Sequence, residues 1–280
     1  MDLKAMQIPT IVMSGPSGVG KGAIRRALAL FEKLSLVNFH LVPVVLYTTR
    51  NPRNKDEKDG VSYWFANEPT SHDAPDYKIR EEHKAYLRQL KAAETIGASP
   101  DNFATREGLV VCEVGSDWQA IWLSDIANAC QNPNEVIFIE MYYAFREALL
   151  NALAQHKNDS WLGFLFLFIR PLSANEMLRR AKQLKIKCED VITREMRKRI
   201  EERIEVGWSR ETKEEIDKRV STAYTQLLAG QNYDVAIVNP CGEGDPCWGS
   251  PNEMPTGPAL KTVRTICRII SAHLYNYRER

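Results

Sequence analysis

Short apolar runs alternate along the chain with segments whose apolar positions recur every three or four residues. The first run, residues 8–13, is rich in β-branched side chains and predicts a buried strand. Residues 21–34 place their apolar side chains on one face and predict a helix. Similar apolar runs predict further strands at 41–47, 109–114, 135–139, 162–169 and 233–238. This alternation predicts an α/β fold with a mainly parallel sheet.

Helical patterns dominate the second half of the chain. Ser173 and Glu176 have the spacing of a capping box and predict a helix that runs to Leu184. Residues 193–224 are highly charged and predict two helical pieces. Residues 239–258 hold several Gly and Pro residues and predict a long loop, which a closing amphipathic helix follows.

Composition narrows the class of protein. The 280 residues are 44% hydrophobic and 26% charged, which is enough apolar material for a folded core. A net charge of +1 gives no argument for binding to nucleic acid or to acidic membranes. The most apolar run, residues 161–169, is far shorter than the roughly 20 residues of a membrane-spanning helix. With no signal-peptide pattern and six scattered cysteines, we expect a cytoplasmic protein, and its oligomeric state stays open.

A glycine-rich segment lies between the first predicted strand and the first predicted helix. The sequence G-P-S-G-V-G-K at 15–21 fits the pattern G-x-x-x-x-G-K. In such a loop the backbone N–H groups and the following helix N-terminus bind phosphate oxygens, and the lysine follows the β- and γ-phosphates. The predicted ATP-binding residues are therefore Gly15, Ser17, Gly18, Val19, Gly20, Lys21 and Gly22, with Lys21 also catalytic.

The residue after Lys21 departs from this pattern. Ser or Thr normally places a hydroxyl on Mg²⁺ there, whereas Gly22 has no side chain and Ala23 cannot substitute. Because Mg²⁺ commonly keeps several waters, a water can fill that place. We expect Mg²⁺ as a cofactor with weakened binding, and we assign no residue as a metal ligand. Cys241 and Cys247, with no histidine near them, make a poor zinc site.

A second motif follows the loop. The sequences T-T-R-N-P-R at 48–53 and E-K-D-G-V-S-Y-W-F at 57–65 resemble the guanylate kinase signature T-T-R-x-P-R, then G-E-x-x-G-x-x-Y-x-F. The glycine loop also resembles that of this family, and a weaker likeness extends to about residue 239. The resemblance implies a divergent P-loop kinase that transfers the γ-phosphoryl group of ATP to a nucleoside monophosphate, GMP or another nucleotide.

The resemblance also implies a domain organisation. A kinase domain would cover residues 1–240, with a substrate-binding region at about 41–115 and an extended helical lid at about 172–225. Residues 241–280 have no counterpart that we recognise in the family.

Three side chains are implied to hold the phosphate of the acceptor. Arg50 and Arg53, three apart across a proline turn, offer planar forks suited to phosphate, and the Tyr63 hydroxyl adds a donor. Glu140 ends the strand predicted at 135–139 and matches an acid of the family. This carboxylate either orients the acceptor or metal-bound water, or lies in solvent.

The predicted lid is implied to supply arginines to the transferring phosphoryl group. Arg179 and Arg180 follow a strand at the expected distance, and Arg219 resembles a later lid arginine of the family. The intervening insert holds further arginines, for which a solvated helix face paired with Glu201, Glu202 and Glu205 is the favoured interpretation. These further arginines are Arg194, Arg197, Arg199 and Arg203.

The positions that read guanine in the family hold apolar residues in this chain, namely Leu46, Val110 and Ile121. A polar base edge left unpaired against apolar side chains costs about 1–3 kcal/mol per group. Glu107 or Glu113 serves instead if the alignment slips by a few residues. Two alternatives therefore stay open beside a nucleotide kinase: a kinase for another phosphate-bearing small molecule, and a catalytically weakened binding module.

Overall fold

The computed structural model describes residues 9–52, 57–74, 76–95, 108–114, 116–129, 132, 134–155, 163–205, 211–250 and 252–278. These residues form two compact units. Unit 1 holds the described residues within Val42–Gln131 and Ala144–Gly163. Unit 2 holds those within Pro9–Leu41, Asn132–Tyr143 and Phe164–Arg280.

The described elements mix strands and helices along the chain, with three helices in succession before the last strand. The strands are β1 (Thr10–Ser14), β2 (His40–Pro43), β3 (Tyr47–Thr48), β4 (Trp64–Phe65), β5 (Leu109–Val114), β6 (Asp117–Trp122), β7 (Glu135–Glu140), β8 (Phe164–Arg170) and β9 (Val235–Val238). The α-helices are α1 (Lys21–Lys33), α2 (Tyr77–Thr95), α3 (Leu123–Ala129), α4 (Phe145–Gln155), α5 (Ala174–Leu184), α6 (Cys188–Glu205), α7 (Lys213–Ala229) and α8 (Gly257–Arg278).

The sheet of unit 2 has the strand order β2-β7-β1-β8-β9. β1 pairs in parallel with β7 and with β8, and β8 pairs in parallel with β9. Every residue of β1 is buried, as expected for a strand with neighbours on both sides and helices over its faces. This parallel sheet and its helices confirm the predicted α/β fold class.

The helices of unit 2 follow local signals in the sequence. The Ser173 side chain accepts a hydrogen bond from the Glu176 backbone N–H at 3.1 Å and begins α5, as predicted. The charged stretch forms the two helices α6 and α7, and a complete capping box of Thr212 and Glu215 begins the second. The predicted loop after β9 contains one short 3₁₀ turn at Pro246–Trp248, and α8 follows it.

Unit 1 contains a small mixed sheet in the order β4-β3-β6-β5. β3 pairs in parallel with β4, whereas β3 with β6 and β5 with β6 are antiparallel. One face of this sheet packs against α2 through a cluster that includes Tyr47, Leu87, Trp118 and Trp122.

The single strand predicted at 41–47 is wrong. The structure ends β2 at Pro43 and places Tyr47 in β3, which belongs to a different sheet. Proline has no N–H to donate to a strand ladder, so it favours such a break. The short or mixed-pattern elements β4, β6, α3 and α4 were not predicted. The predicted bounds of the kinase domain, its substrate-binding region and its lid stay predictions. Within the described residues, no helix combines the length and the apolar character that crossing a membrane requires.

Candidate active site

The glycine loop of unit 2 runs from buried strand β1 into α1. Gly15, Gly18 and Gly20 have φ angles of +149°, +81° and +90°, which L side chains rarely adopt. A Cβ atom on Gly20 would also lie 2.6 Å from the Nδ2 atom of Asn239. Glycine at these positions lets the loop curl around the N-terminus of α1, where unpaired N–H groups favour an anion.

Lys21, the first residue of α1, folds back over this loop. Its Nζ atom donates to the carbonyl oxygens of Gly15 at 2.8 Å and Pro16 at 3.1 Å. Burial lowers the pKa of Lys21, and the nearby carboxylates of Glu140 and Glu243 oppose that change. The ammonium group is thus held against the loop that it was predicted to serve.

Arg219 reaches the loop from α7. Its Nη1 atom donates to the Ser17 hydroxyl at 3.2 Å and to Glu211 Oε1 at 2.8 Å, and its side chain is 15% exposed. The buried Glu211 carboxylate also accepts from Arg203, so one acid holds two guanidinium groups. Of the three predicted lid arginines, Arg219 is the one that the structure brings to the loop.

Arg179 and Arg180 lie on α5, and both form ion pairs with a carboxylate of the same helix. Both donate to Glu176, and their hydrogen bonds lower the pKa of that carboxyl to about 2. The Arg179 side chain is 63% exposed, and Arg180 also donates to Glu195 at 3.0 Å. Catalytic roles for these two residues stay predictions.

Glu140 ends β7 beside the loop strand. It pairs in register with Met13 of β1, and the Ser14 hydroxyl donates to the carbonyl of the next residue, Met141, at 2.8 Å. Its charge opposes the lowering of the Lys21 pKa by burial, so the carboxylate lies within electrostatic reach of the loop. Its role in orienting the acceptor or metal-bound water stays a prediction.

Carboxylate oxygens of unit 2 fit the Mg²⁺ ion that ATP chemistry implies. A Cβ atom on Gly22 would collide with Oε1 of Glu243, so this oxygen takes the space where a side chain would start. Glu140 and Glu243 both act electrostatically on Lys21 and Arg26. Hard oxygen donors of this kind are the ligands that Mg²⁺ prefers.

Arg50 of unit 1 makes a bidentate ion pair. Its Nη1 and Nη2 atoms donate to the two carboxylate oxygens of Glu57 at 2.6 and 2.8 Å. The guanidinium carbon lies 4.6 Å from the centre of the Tyr63 ring, so the structure brings these two predicted acceptor residues together. The third predicted residue, Arg53, lies outside the described residues.

The three apolar positions of unit 1 are at most 2% exposed. Val110 and Ile121 stand directly opposite each other in the β5–β6 ladder, and Leu46 precedes β3. On the same face as Ile121, the buried Gln119 has an Oε1 atom without a hydrogen-bond partner among the described residues. Glu113 is exposed, and Glu107 lies outside the described residues.

Comparison with known proteins agrees with this geometry. A family model described as guanylate kinase matches residues 7–84. The guanylate kinase of Caldanaerobacter subterraneus subsp. tengcongensis is 28% identical over 229 residues, which cover 82% of this chain and 78% of that protein. The matched residues and this relative support membership of the guanylate kinase family.

Other guanylate kinases differ in how far the similarity extends. The guanylate kinase of Latilactobacillus sakei is 51% identical over 55 residues, which cover 20% of this chain and 24% of that protein. A crystal structure of guanylate kinase from Anaplasma phagocytophilum has a TM-score of 0.46 and 14% identity, covering 95% of this chain and 86% of that one.

Asn239 supports the glycine loop through buried hydrogen bonds, a role that the sequence pattern did not predict. Its Nδ2 atom donates to the carbonyls of Val19 at 2.8 Å and Cys241 at 2.7 Å, and the side chain is fully buried. Its backbone N–H donates to the Arg170 carbonyl at 2.9 Å. A polar residue directly after the last predicted strand was the available signal.

The solvated-face interpretation is wrong for Arg199 and Arg203. Arg199 is 2% exposed and donates to the carbonyls of Asn239 and Pro240, both at 3.0 Å. Arg203 pairs with Glu243 at 3.2 Å and with Glu211. Charge periodicity did not show these roles, because the partners come from distant parts of the chain.

Cys241, Cys247 and Asp245 place their side-chain ligand atoms within 4.8 Å of one another. Burial raises the pKa of the Cys241 thiol to about 12, which disfavours the thiolate that a metal would need. The sequence analysis did not group Asp245 with the two cysteines.

Proposed function

We propose that the protein transfers the γ-phosphoryl group of ATP to a nucleoside monophosphate, with GMP as the first candidate acceptor. The observation that carries this proposal is the glycine loop, to which both Lys21 and Arg219 donate hydrogen bonds. Relatives named guanylate kinase support GMP as the acceptor, including one from Malacoplasma penetrans that is 25% identical over 240 residues.

On the donor side, the proposed chemistry is positioning and charge neutralisation. The N–H groups of the loop and of the α1 N-terminus would hold phosphate oxygens, and Lys21 would leave the Gly15 and Pro16 carbonyls to follow the charge that develops. Arg219, anchored by Glu211, would neutralise the transferring group from α7. Bound Mg²⁺ would supply further charge neutralisation on the phosphate oxygens, with Glu140 and Glu243 as the candidate protein oxygens.

On the acceptor side, unit 1 would bind the phosphate of the monophosphate. Arg50 already makes a bidentate pair with a carboxylate, and a phosphate dianion offers its fork a similar pair of oxygens. Tyr63, whose ring lies beside this guanidinium, would restrict its movement. We propose that Arg53 provides a second guanidinium group for this phosphate, and this proposal rests only on the sequence motif.

The two alternatives left open by the sequence gain no support from the comparisons. The family model and the curated relatives all carry the name guanylate kinase. The retained Lys21 also argues against a pure binding module, because a module would not need a charge on the transferring phosphate. What stays unusual is the apolar character of Leu46, Val110 and Ile121.

A panel of acceptors tests the proposal directly. Purified protein with Mg²⁺ and ATP would be supplied with GMP, AMP, CMP, UMP or a sugar phosphate, and ADP formation would be followed. We expect acceptor-dependent ADP formation with GMP and loss of at least about 100-fold in the Lys21→Ala variant. ATP binding without ADP formation from any nucleoside monophosphate would contradict the proposal.

A further inference from the structure

Gly22, the residue after Lys21, lies against Glu243 from the segment that follows β9. Gly22 lies in the first turn of α1, where the expected hydroxyl is missing. A Cβ atom on this glycine would collide with Oε1 of Glu243. A larger residue at position 22 would therefore need the flexible end of the Glu243 side chain to move.

The backbone around Glu243 is fixed on both sides. Before it, the Asn239 side chain accepts from the Cys241 N–H at 3.3 Å and donates to the Cys241 carbonyl. After it, the buried Trp248 donates from its indole Nε1 to the Gly242 carbonyl at 2.7 Å. These contacts hold the segment that begins at Cys241 against the phosphate loop.

The carboxylate itself is held between two arginines. Its Oε1 lies 3.6 Å from Nη1 of Arg26, its Oε2 lies 3.2 Å from Nη1 of Arg203, and its side chain is 17% exposed. A carboxylate has about four acceptor sites, more than these two single contacts need. The arginines therefore orient Glu243 and leave acceptor capacity on Oε1, the oxygen beside Gly22.

We propose that Glu243 takes the place of the missing hydroxyl and supplies a protein oxygen ligand to the Mg²⁺ that accompanies ATP. The inference rests on the proposed function, because it assumes ATP in the glycine loop. Mg²⁺ is commonly bound by one or two carboxylates together with substrate phosphates and waters, so an acid suits the position as well as a hydroxyl does. The proposal gives a functional reason for the close approach of Glu243 Oε1 to Gly22.

A competing explanation is that the acid only mimics a phosphate and blocks the loop. The pairing with Arg26 and Arg203 would suit both roles. The two differ in what Mg²⁺ does: a ligand strengthens the coupling between Mg²⁺ and ATP, whereas a phosphate mimic weakens ATP binding whether or not the metal is present.

Calorimetry distinguishes a Mg²⁺ ligand from a phosphate mimic. The affinity for ATP would be measured with excess Mg²⁺ and again in EDTA, and the ratio of the two constants gives the coupling. We expect Glu243→Gln to reduce this ratio by about tenfold, within the usual range of coupling between two ligands. Glu202→Gln is the matched control, because Glu202 pairs with the exposed Lys198 and its variant removes the same charge. Its ratio should equal that of the wild type.

A rescue variant distinguishes the loss of a metal ligand from the loss of a negative charge. Gly22→Ser combined with Glu243→Ala restores a hydroxyl and removes the carboxylate that it would meet. We expect the coupling ratio to recover toward the wild-type value, and circular dichroism would check that each variant folds. Mn²⁺ bound to the protein–ADP complex, counted by electron paramagnetic resonance, should fall in Glu243→Gln and return in the rescue variant.

Each remaining outcome is decisive. A wild-type ratio in Glu243→Gln would overturn the inference, as would equal tightening of ATP binding with and without Mg²⁺. A reduced ratio that the hydroxyl fails to restore would also overturn it in favour of a general charge effect. Failure of the wild-type protein to bind ATP under either condition would instead refute the proposed function.

Discussion

The glycine loop of unit 2 and strands β5 and β6 of unit 1 differ in how much their proposed chemistry depends on side chains. The loop positions its N–H groups through backbone conformation, which Gly15, Gly18 and Gly20 make possible. The strands would have to read a base through polar side chains, yet two of the three positions expected to do so form an apolar cross-strand pair. Under the proposed function, binding a phosphate and choosing a base would therefore be separable properties.

This difference has a physical origin. Phosphate groups are common to all nucleotides and are recognised by charge and by N–H groups, whereas the base differs only in a few donors and acceptors. Replacing those few partners removes discrimination without disturbing the phosphate contacts.

The largest effect is expected at the loop. Arg219→Ala removes the guanidinium that contacts Ser17, and we expect kcat to fall by about 10³-fold, since an arginine on the transferring group is worth that much in related chemistry. Steady-state kinetics with saturating ATP and GMP would measure it.

The matched control is Arg179→Ala. Its guanidinium is largely exposed and paired with Glu176, so we expect kcat to change less than about threefold, in keeping with the small contribution of exposed ion pairs. Equal losses in both variants would support the roles predicted for Arg179 and Arg180 and would argue for a different arrangement of α5 during turnover.

Arg50→Lys tests the acceptor side. A lysine keeps the charge but cannot form the bidentate pair, so we expect the KM for the acceptor to rise by about 10- to 100-fold while the KM for ATP stays constant. A matched change at Arg88, which donates to the Ala66 carbonyl in the same unit, serves as the control. A rise in both KM values would show a general loss of structure.

Sequence reasoning succeeded where backbone geometry imposes a local pattern. The glycine loop, the capped start of α5 and the apolar strands of the parallel sheet are each signalled within a few neighbouring residues. It failed where distant segments meet: Arg199 reaches the carbonyl of Asn239, and Glu243 reaches Gly22, contacts that only the folded chain defines. The small sheet of unit 1 was only partly foreseen, because strands of two residues have too little periodicity to detect.

Asn239 lies far from the glycine motif in the sequence, yet its side chain supports the glycine loop in the folded chain. We expect Asn239→Ala to lower the free energy of unfolding by about 1–3 kcal/mol, since the Val19 and Cys241 carbonyls would lose a buried donor. Thermal denaturation would show the loss, and ATP should restore less stability to the variant than to the wild type. Asn67→Ala, which removes an amide of unit 1 that donates to Thr49 and Asn51, is the control for ATP-dependent stabilisation. Equal stabilisation by ATP in the wild type and Asn239→Ala would show that this amide does not shape the loop.

The smallest effect is expected at Ile121 on β6. Ile121→Thr and Ile121→Val have the same shape and differ only by one hydroxyl, and Ile121 is fully buried opposite Val110. If a guanine lies against this position, the hydroxyl should raise the ratio of kcat/KM for GMP over AMP by about tenfold relative to the valine variant, the worth of one hydrogen bond. The threonine variant should also be less stable without ligand, because its hydroxyl would be buried among apolar side chains. An unchanged ratio with lowered stability would mean that the base is read elsewhere, and the unpartnered Oε1 of Gln119 would be the next group to test.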